Sequence, residues 1–388
     1  MNHIWSENKY IEMMVNILLF LVGINFLHYG QLFLPLICLI LFVDRRLEFV
    51  VNKPLVFVLL CLFAVAFYAF SYQLGFYSVM GFTLPMAYYI GSNIRHPSKD
   101  NVIKVIYLFA IAMGIHILLD FVKDLYARGF YDLIHVSSHY DIWTGEKIST
   151  TVIAVELDLL IAVFYYLLVH EKNKMVKTVG ITVFSVGFFY CILLGRRTPI
   201  LLFFACMLMC FVFDRSVSEK GKRTFIYLMS LIILFSLVLG CLYAFDLFGL
   251  RSVLSHFYIF EKIARGFSDN RFGIYFKAFS LLGKYPWGGQ KISESLGIQI
   301  HELWIDVYDY AGVVPYILLL GYSLIYGMNF ISAIRKTDDG SYRTILIGLL
   351  VCIFIQMLLE PVMTASSIFL IIVITIGTIV EKAASYEK

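Results

Sequence analysis

Charge is scarce in this 388-residue chain: only 15% of its residues are Asp, Glu, Lys or Arg, against 60% that are hydrophobic. A soluble globular protein needs a hydrated surface, and a composition this poor in charge excludes one. Long polar stretches are missing too, so no segment is large enough to fold as a separate soluble domain. Strand-like alternation of polar and apolar residues is absent, which leaves helices to pair the backbone groups within lipid. No cysteine falls in an outward connection. Cys38, Cys61, Cys191, Cys206, Cys210, Cys241 and Cys352 all lie in apolar runs, which argues against a disulfide framework or a thiolate metal site. Internal repeats and low-complexity tracts are lacking. The first apolar block has neither the basic lead nor the small-residue cleavage pattern of a secretory signal and reads as a span.

What is present is a series of apolar blocks of roughly 15 to 22 residues, the length a helix needs to cross about 30 Å of hydrocarbon. About twelve begin near Ile11, Gln31, Leu55, Leu74, Val102, Thr151, Thr178, Pro199, Thr224, Trp304, Thr344 and Val362. The expected fold is therefore all-α: a polytopic integral membrane protein with about 12 transmembrane helices. Residues 1–388 form one membrane domain, with a large helical external loop, 246–303, between the ninth and tenth spans.

Lys and Arg collect in alternate connections: Arg45, Arg46 and Lys53; Arg95, Lys99 and Lys104; Lys172, Lys174 and Lys177; Arg215, Lys220, Lys222 and Arg223; Arg335, Lys336 and Arg343. The positive-inside rule assigns that side, with both termini, to the cytoplasm. The formal net charge of +4 is what cytoplasmic loops facing anionic lipid carry, and it calls for no nucleic acid. Outside fall the segment from Lys123 to Thr150, the Arg196-Arg197 pair and the long connection ending at Leu303.

That last connection holds the richest chemistry. Its first part has apolar residues at helical spacing, with Arg251, Lys262, Arg265, Arg271 and Lys277 on the polar side of two surface helices. A guanidinium can grip phosphate oxygens through two parallel hydrogen bonds, which sets Arg265 and Arg271 above the lysines; lipid headgroups are the alternative partner. Then come K-Y-P-W-G-G-Q-K and H-E-L-W-I-D-V-Y-D-Y-A-G, a tight turn followed by a histidine and a short polar-aromatic helix. Arg196 and Arg197 stand in a short outward turn where positive charge is normally rare, either snorkelling to phosphates or holding an anion. Glu156 and Asp158 lie in the outer half of the sixth span, and intramembrane acids are costly enough to suggest function. Asp306 and Asp309 are placed to orient a histidine or a sugar. Glu360 is a weaker candidate, and His116 reads as an interhelical hydrogen-bonder. His135 and His139 share a face if their stretch is helical, but no neighbouring ligands close a metal site.

These features resemble the O-antigen polymerase and O-antigen ligase superfamily of membrane glycosyltransferases, which includes the Wzy-type polymerases of capsule and lipopolysaccharide. The resemblance rests on Gly195, Arg196, Arg197, Arg271, Pro286, Gly288, Gly289, His301 and Gly312, between Leu194 and Pro315. It departs where the glycines of P-W-G-G are adjacent and where Glu302 follows His301. It implies a fold like that of type C glycosyltransferases and a metal-independent, cofactor-free, inverting transfer between undecaprenyl-pyrophosphate-linked glycans. The setting would be the bacterial cytoplasmic membrane, with membrane lipids and a chain-length regulator protein as further partners. Arg196 or Arg197, with Arg265 and Arg271, would neutralise the departing pyrophosphate. His301 would take the proton of the acceptor hydroxyl, while Glu156, Asp158, Asp306 and Asp309 would bind or orient sugar. A ligase differs chiefly in its acceptor. A flippase would show short loops and pseudo-symmetric halves, which this chain lacks. The first outward connection, L-H-Y-G-Q, carries no acid, which argues against a metal-binding oligosaccharyl- or mannosyltransferase.

Overall fold

A computed structural model describes residues 9–47, 54–70, 80–94, 97–133, 138–214, 271–298, 300, 302–362 and 366–386, with scattered helical positions between 223 and 246. The order is α1 (Lys9–Gly23), α2 (Phe33–Val43), α3 (Pro54–Phe70), α4 (Met80–Asn93), α5 (Lys99–Leu133), a hairpin of β1 (Ser138–Tyr140) and β2 (Lys147–Ser149), α6 (Thr151–Val169), α7 (Lys174–Leu193) and α8 (Thr198–Phe213). After these come α9 (Arg271–Leu281), α10 (Lys291–Leu296), α11 (Leu303–Ala311), α12 (Val313–Lys336), α13 (Gly340–Leu359) and α14 (Ser367–Tyr386).

The protein is polytopic and largely helical, but the expected twelve spans are corrected. Among the described residues six helices are long and apolar enough to cross a membrane: α5, α6, α7, α12, α13 and α14. The difference lies between apolar blocks and helices. The blocks near Ile11, Gln31, Leu55, Leu74 and Pro199 contain helices of 15, 11, 17, 14 and 16 residues. At 1.5 Å per residue these measure roughly 16 to 26 Å, short of about 30 Å of hydrocarbon. Two 3₁₀ turns, Phe26–His28 and Gly30–Leu32, use up the first residues of the second block. The block near Thr224 falls largely outside the described residues. Helices do not account for everything either, since β1 and β2 pair antiparallel with His139 opposite Ile148.

Two helices are apolar around nearly their whole circumference and are buried accordingly. In α6 the run from Ile153 to Tyr165 is buried, against α5, α7, α8 and α13. In α14 Ile368 to Val380 are almost all buried, against α4, α12 and α5. Small residues set the approach. A Cβ on Gly348 would stand 2.2 Å from the Ala162 carbonyl oxygen, and one on Gly91 would stand 2.8 Å from the Thr375 carbonyl oxygen, so both helix pairs pack backbone against backbone at close range. Helix starts follow local capping: Asn173 accepts from the amides of Met175 and Val176, and Asp339 from those of Ser341 and Tyr342.

Contacts between elements mark the two ends of the bundle. At one end Leu47 bridges Ile94, His170 Nε2 lies 2.9 Å from Asp214, and the Tyr107 hydroxyl donates to the Val176 carbonyl at 2.7 Å. Arg45, Arg46, Lys99, Lys172, Lys174, Lys177, Arg335, Lys336 and Arg343 gather at this end. The opposite end carries the hairpin, the Arg196 turn and the α9–α11 module. There the Trp143 indole donates to the Ile24 carbonyl at 3.1 Å, and the Thr198 hydroxyl donates to Glu360 at 2.6 Å.

Candidate functional site

The hairpin closes over a polar cluster. Asp141 begins its turn and accepts from the Trp143 amide at 3.0 Å, the Thr144 amide at 2.6 Å and the Thr144 hydroxyl at 2.9 Å, all on Oδ1, an arrangement that Asp favours because its side chain mimics a backbone turn. The long helix α5 meets the hairpin with acids one turn apart. Asp120 Oδ1 accepts from the Ile142 amide at 2.8 Å, and Asp124 accepts from the Tyr140 amide at 2.8 Å and the Tyr190 hydroxyl at 2.7 Å. Arg128 lies over the Tyr140 ring at 4.4 Å and donates to the Ser138 carbonyl.

Beneath the hairpin, His116 Nδ1 is 2.8 Å from Glu156 Oε2, joining α5 to α6. Its Nε2 faces Asp141 Oδ2 at 3.7 Å and Asp120 Oδ1 at 3.9 Å, while His139 Nε2 stands 3.4 Å from Asp120 Oδ2. The side chains of His116, Asp120, His139, Asp141 and Glu156 are each at most 1% exposed. Burial pushes the Asp141 carboxyl up, but His116 and the Thr144 donors outweigh it and hold the group well below the usual carboxylate range. At 3.7 Å His116 acts on it through charge rather than through a hydrogen bond.

One ligand atom each from His116, Asp120 and Asp141 lies within 4.8 Å of the others, a set able to hold a metal ion. The expectation of metal-independent chemistry is therefore corrected; of the two histidines weighed for a metal, His139 is not in this set and His135 lies outside the described residues. The reason is topological: the set draws on α5 and the hairpin together, and His139 sits on a strand, not a helix. Glu156 is the ion-pair partner of His116. Asp158, one of the expected sugar ligands, points elsewhere. It is fully buried, and neither of its oxygens has a hydrogen-bond partner among the described residues.

At the α7–α8 turn Arg196 donates to the hydroxyls of Thr150 at 2.6 Å and Thr151 at 2.7 Å, tying the turn to the start of α6. Arg197 is half-buried at the head of α8. Arg265 and His301 lie outside the described residues. Arg271 opens α9, and its side chain is likewise outside them.

The motif from Tyr285 to Val313 forms a compact module. Val313 N donates to the Pro286 carbonyl at 2.9 Å, Gly289 N to Tyr310 O at 3.2 Å and Gln290 N to Asp309 O at 2.7 Å. Gly288 and Gly312 have φ of +74° and +90°, and a Cβ on Gly312 would stand 2.6 Å from the Pro286 carbonyl oxygen; only glycine suits both the conformation and the approach. Asp309 accepts from the Ile292 amide at 2.9 Å and from the Ser293 hydroxyl, so its role here is to fasten α10. Asp306 is buried on α11. Glu302 caps α11, accepting from the Ile305 amide at 2.6 Å. Burial pushes its carboxyl up to about 7, against the lowering pull of the Ile305 and Trp304 amides.

Sequence reasoning missed Asp120, Asp124, Asp141 and Glu302. One spacing held a signal: His116 and Asp120 are four apart on a helix and so share a face, while Asp141 stands at the head of the turn just after β1. In comparisons with known proteins, the chain matches no family model, and no curated protein is significantly similar to it.

Proposed function

We propose that this polytopic membrane protein polymerises undecaprenyl-pyrophosphate-linked oligosaccharide repeat units into a surface polysaccharide at the outer face of a bacterial cytoplasmic membrane. The observation that carries this reading is convergence at one end of the bundle. The α9 residue Tyr275 donates to the Leu358 carbonyl at the end of α13, and Thr198, beside Arg197, donates to Glu360 two residues further on. The Pro286–Gly312 module and the Arg196-Arg197 turn thus share one anchorage, which supports a common task for them. In this reading Arg197, Arg265 and Arg271 receive the donor's pyrophosphate, Arg196 braces the turn, and His301 takes the acceptor proton beside Glu302. A carboxyl with a pKa near 7 is well placed in energy to exchange protons, so Glu302 joins His301 as a candidate base. The basic end faces the cytoplasm, and a chain-length regulator protein and membrane lipids are the expected partners.

The test is the size distribution of surface polysaccharide in a strain deleted for this gene and complemented with wild type, Arg271→Ala or His301→Ala. Single anchored repeat units, extended again only by wild type, are the expected result. Full-length lipid-linked chains that never reach an acceptor would make the protein a ligase, and an unchanged ladder would end the glycan reading.

A further inference from the structure

We infer that His116, Asp120, Asp141 and His139 bind one divalent transition cation of the zinc class, and that this ion staples the Ser138–Ser149 hairpin to α5. Geometry comes first. The gaps of 3.4, 3.7 and 3.9 Å between imidazole nitrogens and carboxylate oxygens are too long for hydrogen bonds. They are close to the edge of a tetrahedron around an ion, about 3.4 Å when the bonds are about 2.1 Å. His116, Asp120 and Asp141 already bring ligand atoms within 4.8 Å of one another, and His139, held 3.4 Å from Asp120, completes the set by a small inward movement; closing it without a metal leaves like charges together.

The donor atoms supply a second, independent observation. His116 Nε2, Asp120 Oδ2, Asp141 Oδ2 and both ring nitrogens of His139 are buried with no hydrogen-bond partner. Each carboxylate is anchored through Oδ1 by backbone amides, Ile142 for Asp120 and Trp143 and Thr144 for Asp141, so Oδ2 is turned inward. Buried polar groups are rarely left this way without an ion or water to satisfy them. Among the described residues no Lys or Arg forms an ion pair with Asp120, Asp141 or Glu156, and the two inner imidazoles, with His28 4.0 Å from Asp141 at the rim, are the cationic candidates. Three acids in that setting attract a cation.

The outer contacts select the class. Glu156 engages His116 Nδ1 at 2.8 Å, the carboxylate–histidine arrangement that fixes an imidazole's tautomer and aims Nε2 at a metal. Two imidazoles with two carboxylates suit zinc and its first-row neighbours over magnesium or calcium, which prefer oxygen alone. Because every ligand is buried, the ion is structural: it holds β1 and β2 on α5 and α6, with Trp143 stacked near His116 at 6.2 Å.

The experiment uses the full chain in detergent with any affinity tag removed. The protein is stripped with chelator, equilibrated with Zn²⁺ or Co²⁺, and dialysed. Expected are about one ion retained per chain, a visible Co²⁺ spectrum of tetrahedral nitrogen–oxygen coordination, and retention lost in Asp120→Asn. Glu156→Gln should weaken binding roughly 10- to 100-fold, as loss of an outer-shell partner does. Folded wild type that retains no ion and shows no Co²⁺ band overturns the inference, as does equal retention by wild type and Asp120→Asn. If Asp120→Asn does not fold, the wild-type Co²⁺ spectrum decides alone. Metal content is read without any glycan, so this result is independent of the polysaccharide ladder.

Discussion

Two structures crown the same end of the bundle and are held together by opposite means. The hairpin is fixed by buried charge: Asp120, Asp124 and Asp141 each take backbone amides from it, and His116 and Glu156 sit beneath. The Tyr285–Val313 module is fixed by bare backbone, with Gly288 and Gly312 letting the turn after Pro286 lie directly on the end of α11. The first arrangement depends on chemical identity, because a buried donor or acceptor without its partner is expensive. The second depends on the absence of side chains. A substitution that one region tolerates should therefore be severe in the other.

The sharpest break is Asp124→Ala. It strands the Tyr190 hydroxyl and the Tyr140 amide and removes the carboxylate 3.9 Å from the half-buried Arg128. The expected loss is about 3–5 kcal/mol, as for removal of one partner of a buried ion pair. Hydrogen exchange should place the loss in β1 and β2 and leave the module protected. The converse is Gly312→Ala, which puts a Cβ 2.6 Å from the Pro286 carbonyl oxygen at φ +90° and should cost about 2–4 kcal/mol. Limited proteolysis should then open residues 285–313 and spare the hairpin; equal sensitivity of both regions would show that they are one unit.

A gentler test uses pH. Folding raises the Glu302 carboxyl to about 7, so the protonated form is the one the fold favours. Its stabilising contribution is complete below the ordinary glutamate range and is lost as pH rises through about 7. Exchange protection of α11 should fall by the equivalent of roughly 2–3 kcal/mol between pH 5 and 8. Glu302→Gln, which keeps a side-chain oxygen for the Ile305 amide, should flatten that dependence, and the hairpin should not follow it.

The same contrast explains what was legible beforehand. The module's residues are close in sequence and bear a composition with one meaning, since a Pro followed by two glycines can only turn; Pro286, Gly288, Gly289 and Gly312 stood out and do interlock. The cluster's members are spread from His116 to Glu156 across a helix, a hairpin and a second helix, and no local spacing announces such a site. A helical stretch was the condition for His135 and His139 to share a face; His139 lies on a strand and His135 outside the described residues. The span count failed for a related reason. Hydropathy reports where lipid or core is tolerated, and in α1 through α4 the apolar blocks are longer than the helices within them. Arg196 adds what charge alone did not announce: it ties its turn to the hydroxyls of Thr150 and Thr151.

One dimension of α5 reaches further. Its unbroken run from Lys99 to Arg128, before the kink at Gly129, amounts to about 45 Å of rod, against about 30 Å of hydrocarbon. Counted from Lys99, His116 stands about 25 Å along it, which, with Lys99 at one face of the hydrocarbon, is just inside the other. The cluster therefore sits where a bilayer a few ångströms thicker would wrap it in acyl chains and a thinner one would leave it among headgroups. Lipid thickness, which sorts and tilts long helices, becomes a setting of the solvent around His116, and the same chain reconstituted in short- and long-chain lipids should hold its hairpin with different strength.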